Sequence, residues 1–117
     1  MPLKILLVDD SKVSRLALSK GLRKLDDSLE ICEAASADAA ELLLKEKTVD
    51  LALIDYNMPD RNGLELAEVL LTSYPDIKLT LVTANIQDTI RDKAVSMGVD
   101  FIAKPARPEE LAKVIGV

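Results

Sequence analysis

Short apolar runs alternate with segments of helical period along the whole chain, and this alternation limits the fold more than any other feature. Four runs are mainly apolar, and a fifth alternates apolar with polar residues; they cover residues 3–8, 49–54, 78–82, 101–103 and 29–34. Alternation of this kind is typical of βαβ units and a parallel sheet. Right-handed crossovers place helices on both faces of such a sheet. The sequence therefore predicts an α/β protein with five strands, five helices and one doubly wound parallel sheet, whose strand order the periodicity leaves open.

The segments between the runs carry apolar residues at helical spacing. The first helix is predicted after Asp10, with Ser11 or Asp10 as its N-cap. Gly21 lies within its apolar face, where we expect the helix to pack closely against the sheet. A later helix is predicted to end at Gly98, and the last to begin at Pro108. The apolar face of the first helix is predicted to contain Val13, Leu16, Ala17, Leu18, Leu22 and Leu25.

Length, charge and cysteine content exclude several classes of function. The 117 residues fit one domain, predicted to span residues 1–117. The net charge is −5 and the basic residues form no cluster, so nucleic-acid binding is not expected. No apolar run approaches the ~18 residues of a membrane span, so none is expected. Cys32 is the only cysteine, which excludes an internal disulfide and fits a reducing cytoplasm. We expect Cys32 to be a small apolar side chain buried on a strand.

Four predicted strands end at residues suited to magnesium and phosphate chemistry. Asp9 and Asp10 follow the first strand, Asp55 the third, Thr83 the fourth and Lys104 the fifth. The carboxyl ends of parallel strands meet at one edge of the sheet, where open α/β sheets bind ligands. Three neighbouring carboxylates repel one another, which makes their ionisation unfavourable. A bound divalent cation such as Mg²⁺ offsets this repulsion. We therefore predict a site where a carboxylate attacks phosphorus, with Lys104 and Thr83 on the phosphoryl oxygens.

Each of these residues also has a simpler interpretation. Asp9 and Asp10 could cap the following helix, and Asp55 could be a turn former before a proline-containing loop. Thr83 could be an ordinary hydroxyl at a strand end, and Lys104 a solvated lysine. Only their occurrence together at four strand ends favours a functional site.

In this order the motifs resemble the receiver domain of bacterial two-component response regulators. The matching segments are the acidic pair Asp9 and Asp10, the block at 53–59 with Gly63 after it, residues 83–84, and residues 101–105. The resemblance covers nearly the whole chain. It implies a flavodoxin-like sheet of order 2-1-3-4-5.

The resemblance assigns the phosphoacceptor and the metal ligands. It implies that Asp55 accepts a phosphoryl group from a histidine kinase or a histidine phosphotransfer protein in a phosphorelay. It also implies that Mg²⁺, or Mn²⁺ in its place, binds to Asp9, Asp10, Asp55 and the backbone carbonyl of Asn57. The protein would then be a signalling switch and not an enzyme, although phosphotransfer and autodephosphorylation would be intrinsic to it.

The resemblance also implies how the switch and its partners would work. Thr83 would move towards the phosphate, Phe101 would turn inward, and the face built from the fourth helix, fifth strand and fifth helix would change. The Lys104–Pro105 bond would be cis, an isomer accessible mainly before proline. The changed face would engage a downstream protein or a linked output domain, or would form a homodimer.

Two other classes of function remain open at this point. A magnesium-dependent phosphohydrolase of the haloacid dehalogenase type also uses an aspartyl nucleophile, but it has a second Asp two residues later, where this chain has Asn57. A pseudo-receiver would be an interaction module that is never phosphorylated. The acidic residues, Thr83 and Lys104 argue against that second alternative.

Overall fold

Five parallel strands form one sheet in the computed structural model, which describes residues 2–117. The strands are β1 (Lys4–Val8), β2 (Glu30–Ala34), β3 (Leu51–Ile54), β4 (Lys78–Thr83) and β5 (Asp100–Ala103). Their order across the sheet is β2-β1-β3-β4-β5, and every neighbouring pair is parallel. The predicted α/β class and the flavodoxin-like order implied by the resemblance are confirmed.

Five helices alternate with the strands in the described part of the chain. They are α1 (Lys12–Leu25), α2 (Ala37–Leu44), α3 (Gly63–Ser73), α4 (Asp88–Ser96) and α5 (Pro108–Ile115). None of the helices within residues 2–117 is both long enough and apolar enough to cross a bilayer.

The first helix begins at a serine cap, which settles the choice between Ser11 and Asp10. The Ser11 hydroxyl accepts a hydrogen bond from the backbone N–H of Ser14 at 3.2 Å. Asp10 is therefore not needed as a cap, and its carboxylate remains available at the sheet edge. Gly98 follows the end of α4 with φ of 78°, the left-handed conformation expected there.

Side chains of β1 alternate between two hydrophobic clusters, one on each face of the sheet. Leu6 and Val8 belong to the cluster covered by α2, α3 and α4, whereas Ile5 and Leu7 belong to the cluster covered by α1 and α5. All four are fully buried. A central parallel strand that is buried on both faces reads as a continuous apolar run, which explains why the sequence pattern located this strand.

Two predictions about α1 are wrong. Val13 and Leu16 are 78% and 53% exposed, and the buried residues of the helix are Leu18 and Leu22. A Cβ added to Gly21 would lie 3.0 Å from Cδ1 of Leu111, so this glycine permits close packing of α1 on α5 and not on the sheet. Because α1 and α5 share one face of the sheet, the stripe of α1 that becomes buried is narrow and turned towards α5.

Cys32 lies on β2 as predicted but is only half-buried, because β2 is an edge strand. Its sulfur lies 3.5 Å from the carbonyl oxygen of Ile5. Burial raises the pKa of the Cys32 thiol above its ordinary value, although the nearby Lys47 opposes the shift. The side chain therefore packs as a small, largely protonated group.

Candidate phosphoacceptor and metal site

The register between β1 and β3 places two carboxylates side by side. Val8 pairs with Ile54, so Asp9 and Asp55 are the next residues on adjacent strands. Oxygen atoms of Asp9, Asp10 and Asp55 lie within 4.8 Å of one another. Asp9 is 2% exposed and Asp55 8%, whereas Asp10 is exposed to solvent. Three acidic side chains thus meet at the carboxyl edge of the sheet, two of them buried.

Lys104 provides the positive charge within this acidic cluster. Its Nζ lies 2.7 Å from Oδ2 of Asp9 and 3.5 Å from Oδ2 of Asp55. The backbone N–H of Lys104 donates to the carbonyl of Thr83 at 3.0 Å, and the Lys104–Pro105 bond is cis. The ammonium therefore contacts both buried carboxylates from the end of β5.

Hydrogen bonds keep Asp9 ionised in this buried position. Burial by itself raises the pKa of the Asp9 carboxyl, but the Lys104 ammonium and the backbone N–H of Ser11 outweigh that effect and lower the pKa below its ordinary value. The Ser11 N–H donates to Oδ1 at 2.9 Å, and a contribution from Ser14 acts in the same direction. Asp9 is thus a fixed carboxylate, with one oxygen held by the backbone and the other by Lys104.

The backbone of Asp55 is held by β1 and by a close approach of α3. Its N–H donates to the carbonyl of Val8 at 2.8 Å, and the N–H of Gly63 donates to the carbonyl of Tyr56 at 2.9 Å. A Cβ at Gly63 would collide with the Asp55 carbonyl group, 2.9 Å from its carbon, and would lie 3.0 Å from Cδ1 of Leu81. Glycine is required at this position because α3 begins directly against the backbone of Asp55.

One oxygen of Asp55 fits a role as a metal ligand. Its Oδ1 is buried and has no hydrogen-bond partner among residues 2–117, whereas Oδ2 faces Lys104. Buried carboxylate oxygens are rarely left without a partner, and a bound cation would satisfy this one. Asp9, Asp10 and Asp55 supply only oxygen donors, which suit Mg²⁺. Asn57 is exposed in the loop after β3, and the role of its carbonyl stays a prediction.

Thr83 and Phe101 lie next to the Lys104 segment. Thr83 is fully buried at the end of β4, in register with Ala103, and its Oγ1 accepts a hydrogen bond from the N–H of Asn85 at 3.2 Å. Phe101 is half-buried on β5, with the guanidinium carbon of Arg91 5.1 Å from its ring centroid. The switch role of both residues stays a prediction.

The sequence interpretation assigned no role to two arginines, Arg15 beside Asp9 and Arg61 in the loop after β3. Arg15 on α1 donates to the backbone carbonyl of Asp9 and to Glu33. Arg61, in the loop between β3 and α3, pairs with Asp38 at 2.7 Å and with Glu41, both on α2. The side-chain partners of Arg15 and Arg61 lie 18 to 23 residues away in the sequence, so no local pattern reveals these contacts. The position of Arg15, in the first turn of the helix that follows the acidic pair, is the one signal that the sequence offers.

An open parallel sheet of this order, with three carboxylates and a lysine at its carboxyl edge, defines a class of phosphoacceptor signalling domains. The model of the response regulator receiver domain family matches residues 5–116. Among solved structures, the chain is similar to a CheY-like receiver domain protein from Methanospirillum hungatei, with a TM-score of 0.88, 27% identity, and coverage of 99% of this chain and 92% of that one.

Curated relatives lead to the same family. The chain is 37% identical over 112 residues to the cyclic di-GMP phosphodiesterase response regulator RpfG of Xanthomonas campestris, covering 93% of this chain and 30% of that protein. It is 33% identical over 116 residues to the response regulator protein VraR of Staphylococcus saprophyticus, covering 98% of this chain and 56% of that protein. The chain therefore spans about half the length of these relatives or less.

The chain belongs to the response regulator receiver domain family. It is a receiver domain of two-component signal transduction, and members of this family act as signalling switches. Neither the phosphohydrolase nor the pseudo-receiver interpretation is favoured by these findings.

Proposed function

We propose that Asp55 accepts a phosphoryl group from a phosphohistidine of a histidine kinase or a phosphotransfer protein. The observation that carries this proposal is the environment of the Asp55 carboxylate. One of its oxygens is buried without a partner among residues 2–117, and the other lies 3.5 Å from the ammonium of Lys104. In this setting one Asp55 oxygen is available to a cation. The other lies beside the Lys104 ammonium, whose positive charge would stabilise a phosphoryl group bound to Asp55.

In the transfer step, an Asp55 oxygen forms a bond to phosphorus while the bond from phosphorus to the donor imidazole nitrogen breaks. The electron pair of the broken bond stays on the imidazole, and the product is an acyl phosphate. Lys104 stabilises the charge on the phosphoryl oxygens, and the Thr83 hydroxyl donates to another of them. Asp9, Asp10, Asp55 and the Asn57 carbonyl would hold Mg²⁺, or Mn²⁺ in its place, which would supply further charge neutralisation.

Lys104 has to exchange partners during this reaction. Its Nζ contacts Asp9 and Asp55 in the unphosphorylated protein, and a phosphoryl group on Asp55 offers it oxygen atoms of higher charge. A corresponding shift of Thr83 would release space for Phe101, whose ring packs under Arg91. We infer that the α4–β5–α5 face carries the signal, with a bias of about 1–3 kcal/mol between the two states. Hydrolysis of the acyl phosphate by water returns Asp55 to its carboxylate form.

The proposed partners are those that would bind the α4–β5–α5 face. A downstream protein or a covalently linked output domain would bind it, and a second copy of the chain is the other occupant we consider. Sedimentation of the chain with and without phosphorylation distinguishes a homodimer from a monomer. We place the reaction in the cytoplasm, because a single half-buried thiol and no disulfide fit a reducing compartment.

The test is phosphorylation by a small donor such as acetyl phosphate, followed by intact mass. We expect the wild-type chain to gain one phosphoryl group when Mg²⁺ is present, and none in EDTA. Asp55→Asn should gain none. Asp60→Asn is the matched control, because Asp60 lies in the same loop region and outside the acidic cluster, and it should behave as the wild type does. An Asp55→Asn variant that gains one phosphoryl group at the wild-type rate would refute the proposal.

A further inference from the structure

The side chain of Arg15 connects three elements beside the acidic cluster. Its Nη1 donates to the backbone carbonyl of Asp9, and its Nε lies 2.8 Å from Oε1 of Glu33 on β2. The Arg15 side chain is only 14% exposed, although it carries a charge, whereas that of Glu33 is 46% exposed. A guanidinium buried to this extent needs hydrogen-bond acceptors at fixed positions, so the Asp9 carbonyl and Glu33 hold the Arg15 side chain in one orientation.

The carbonyl that Arg15 holds belongs to the peptide group between Asp9 and Asp10. Because a peptide group is planar, fixing its oxygen also fixes the direction in which the chain enters Asp10. The other side of Asp9 is fixed by its N–H, which donates to the carbonyl of Ala34 at 3.0 Å. Ala34 follows Glu33 on β2. The N–H of Asp9 therefore binds this strand directly, and its carbonyl is connected to the same strand through Arg15.

Asp10 is the acidic residue with the least support of its own. It is exposed, and its carboxylate forms no hydrogen bond or ion pair within residues 2–117, in contrast to Asp9 and Asp55. The direction of its Cα–Cβ bond, which the backbone sets, is therefore the main constraint on where its carboxylate lies relative to the other two.

We propose that Arg15 is a positioning residue for the divalent cation, because it holds the Asp9–Asp10 peptide at the angle that brings three carboxylates together. The inference rests on the proposed function, since it requires that the acidic cluster binds Mg²⁺. Arg15 acts through Asp9 and Asp10 and contacts neither the cation nor the phosphoryl group.

Charge and geometry predict opposite results when Arg15 is removed. Loss of a positive charge beside three carboxylates strengthens their attraction for a cation, so a purely electrostatic role predicts tighter Mg²⁺ binding by Arg15→Gln. Loss of positioning predicts weaker binding, by about tenfold, which is the usual scale when a group that orients a metal ligand is removed. A purely structural role lowers the free energy of unfolding and leaves the Mg²⁺ affinity unchanged.

The chain offers a matched control on the same helix. Nη1 of Arg23 donates at 3.1 Å to the carbonyl of Leu29, which directly precedes β2. This contact lies at the amino ends of the strands, whereas the acidic cluster lies at their carboxyl ends. Arg23→Gln therefore removes the same charge and a similar contact away from the site. Arg15→Lys keeps the charge, but its single ammonium cannot reproduce the two separate donors of the guanidinium.

The experiment is a titration of the four proteins with Mg²⁺ alone, followed through backbone amide NMR shifts, with urea unfolding measured separately. We expect about tenfold weaker binding by Arg15→Gln, weaker binding by Arg15→Lys, and wild-type affinity for Arg23→Gln. Equal or tighter binding by both Arg15 variants, with the wild type saturating normally, would overturn the inference and leave the proposed function intact. Absence of saturable Mg²⁺ binding by the wild type would overturn both. If Arg15→Gln does not fold, Arg15→Lys decides the question.

Discussion

The ammonium nitrogen of Lys104 lies 2.7 Å from Oδ2 of Asp9, whose side chain is 2% exposed. The two residues are 95 positions apart in the sequence and meet only because β1 and β5 end at the same edge of the sheet. Lys104 therefore neutralises part of the charge that a divalent cation would neutralise. A bound cation would therefore compete with Lys104 for the same carboxylates, and the proposed phosphorylation of Asp55 would offer the lysine new partners.

Removal of the Lys104 charge should separate metal binding from phosphoryl transfer. In Lys104→Gln we expect Mg²⁺ to bind more tightly, by roughly tenfold, because a competing positive charge is gone. We expect phosphorylation by acetyl phosphate to slow by about 100-fold, because a group that stabilises the transferring phosphoryl oxygens is lost. Amide NMR titration and intact mass measure the two quantities. Lys113→Gln on α5 controls for net charge, and weaker Mg²⁺ binding by Lys104→Gln would contradict the competition.

Acid should destabilise the protein through Asp9. Its pKa in the folded chain lies below the ordinary value of 3.8, so folding favours the ionised form. This contribution to the free energy of unfolding is fully present above 3.8 and is lost as the pH falls through the folded pKa. Urea unfolding over that range should show a smaller acid-dependent loss in Asp9→Asn than in the wild type. Equal losses in the two proteins would show that Asp9 does not contribute.

Substitution of Gly63 should damage both the fold and the site. We expect Gly63→Ala to lower the free energy of unfolding by about 3 kcal/mol, because the added methyl collides with the carbonyl of Asp55 and must displace it. Phosphorylation of Asp55 should slow in the fraction that folds. Gly98→Ala is the control: φ there is 78°, but the new Cβ meets no described atom within 4 Å, so we expect a loss of about 1 kcal/mol and normal phosphorylation. Similar behaviour of the two variants would exclude the steric explanation.

The two ion pairs of Arg61, with Glu41 and with Asp38, should contribute modestly to the free energy of unfolding, and this contribution should fall as salt is added. The Arg61 side chain is 28% exposed and bridges Asp38 and Glu41, which raise the pKa of its guanidinium. We expect Arg61→Gln to lose about 1 kcal/mol of unfolding free energy at low ionic strength and less at high ionic strength. Lys93→Gln, which removes a more exposed pair with Glu68 at 3.7 Å, should lose close to nothing. A loss for Arg61→Gln that salt leaves unchanged would indicate packing and not charge.

The sequence predicted the sheet and its acidic edge because both depend on local patterns. Strands β1 and β3 are buried on both faces and therefore appear as continuous apolar runs, and the residues after them are necessarily at the carboxyl edge. Asp9, Asp55 and Lys104 could thus be assigned to one site from the sequence alone. Strand order could not be derived in this way, since periodicity carries no information about which strands are neighbours, and the family resemblance supplied it.

Tertiary contacts account for the parts that the sequence could not predict. The exposure of Val13 and Leu16 follows from the sharing of one sheet face by α1 and α5, which helical period does not reveal. The contact of Gly21 with Leu111 joins residues 90 positions apart. The pairing of Arg15 with Glu33 requires β2 to lie beside β1. In each case the missing information was the position of a second element.

We propose that Asp55, and no other carboxylate of the cluster, carries the phosphoryl group. Borohydride reduces an aspartyl phosphate to homoserine, so treatment of the chain after reaction with acetyl phosphate and Mg²⁺ marks the acceptor, and peptide mass spectrometry locates it. We predict homoserine at position 55 and unmodified aspartate at positions 9 and 10. Homoserine at position 9 or 10, or phosphoryl incorporation with no conversion at position 55, would contradict this claim.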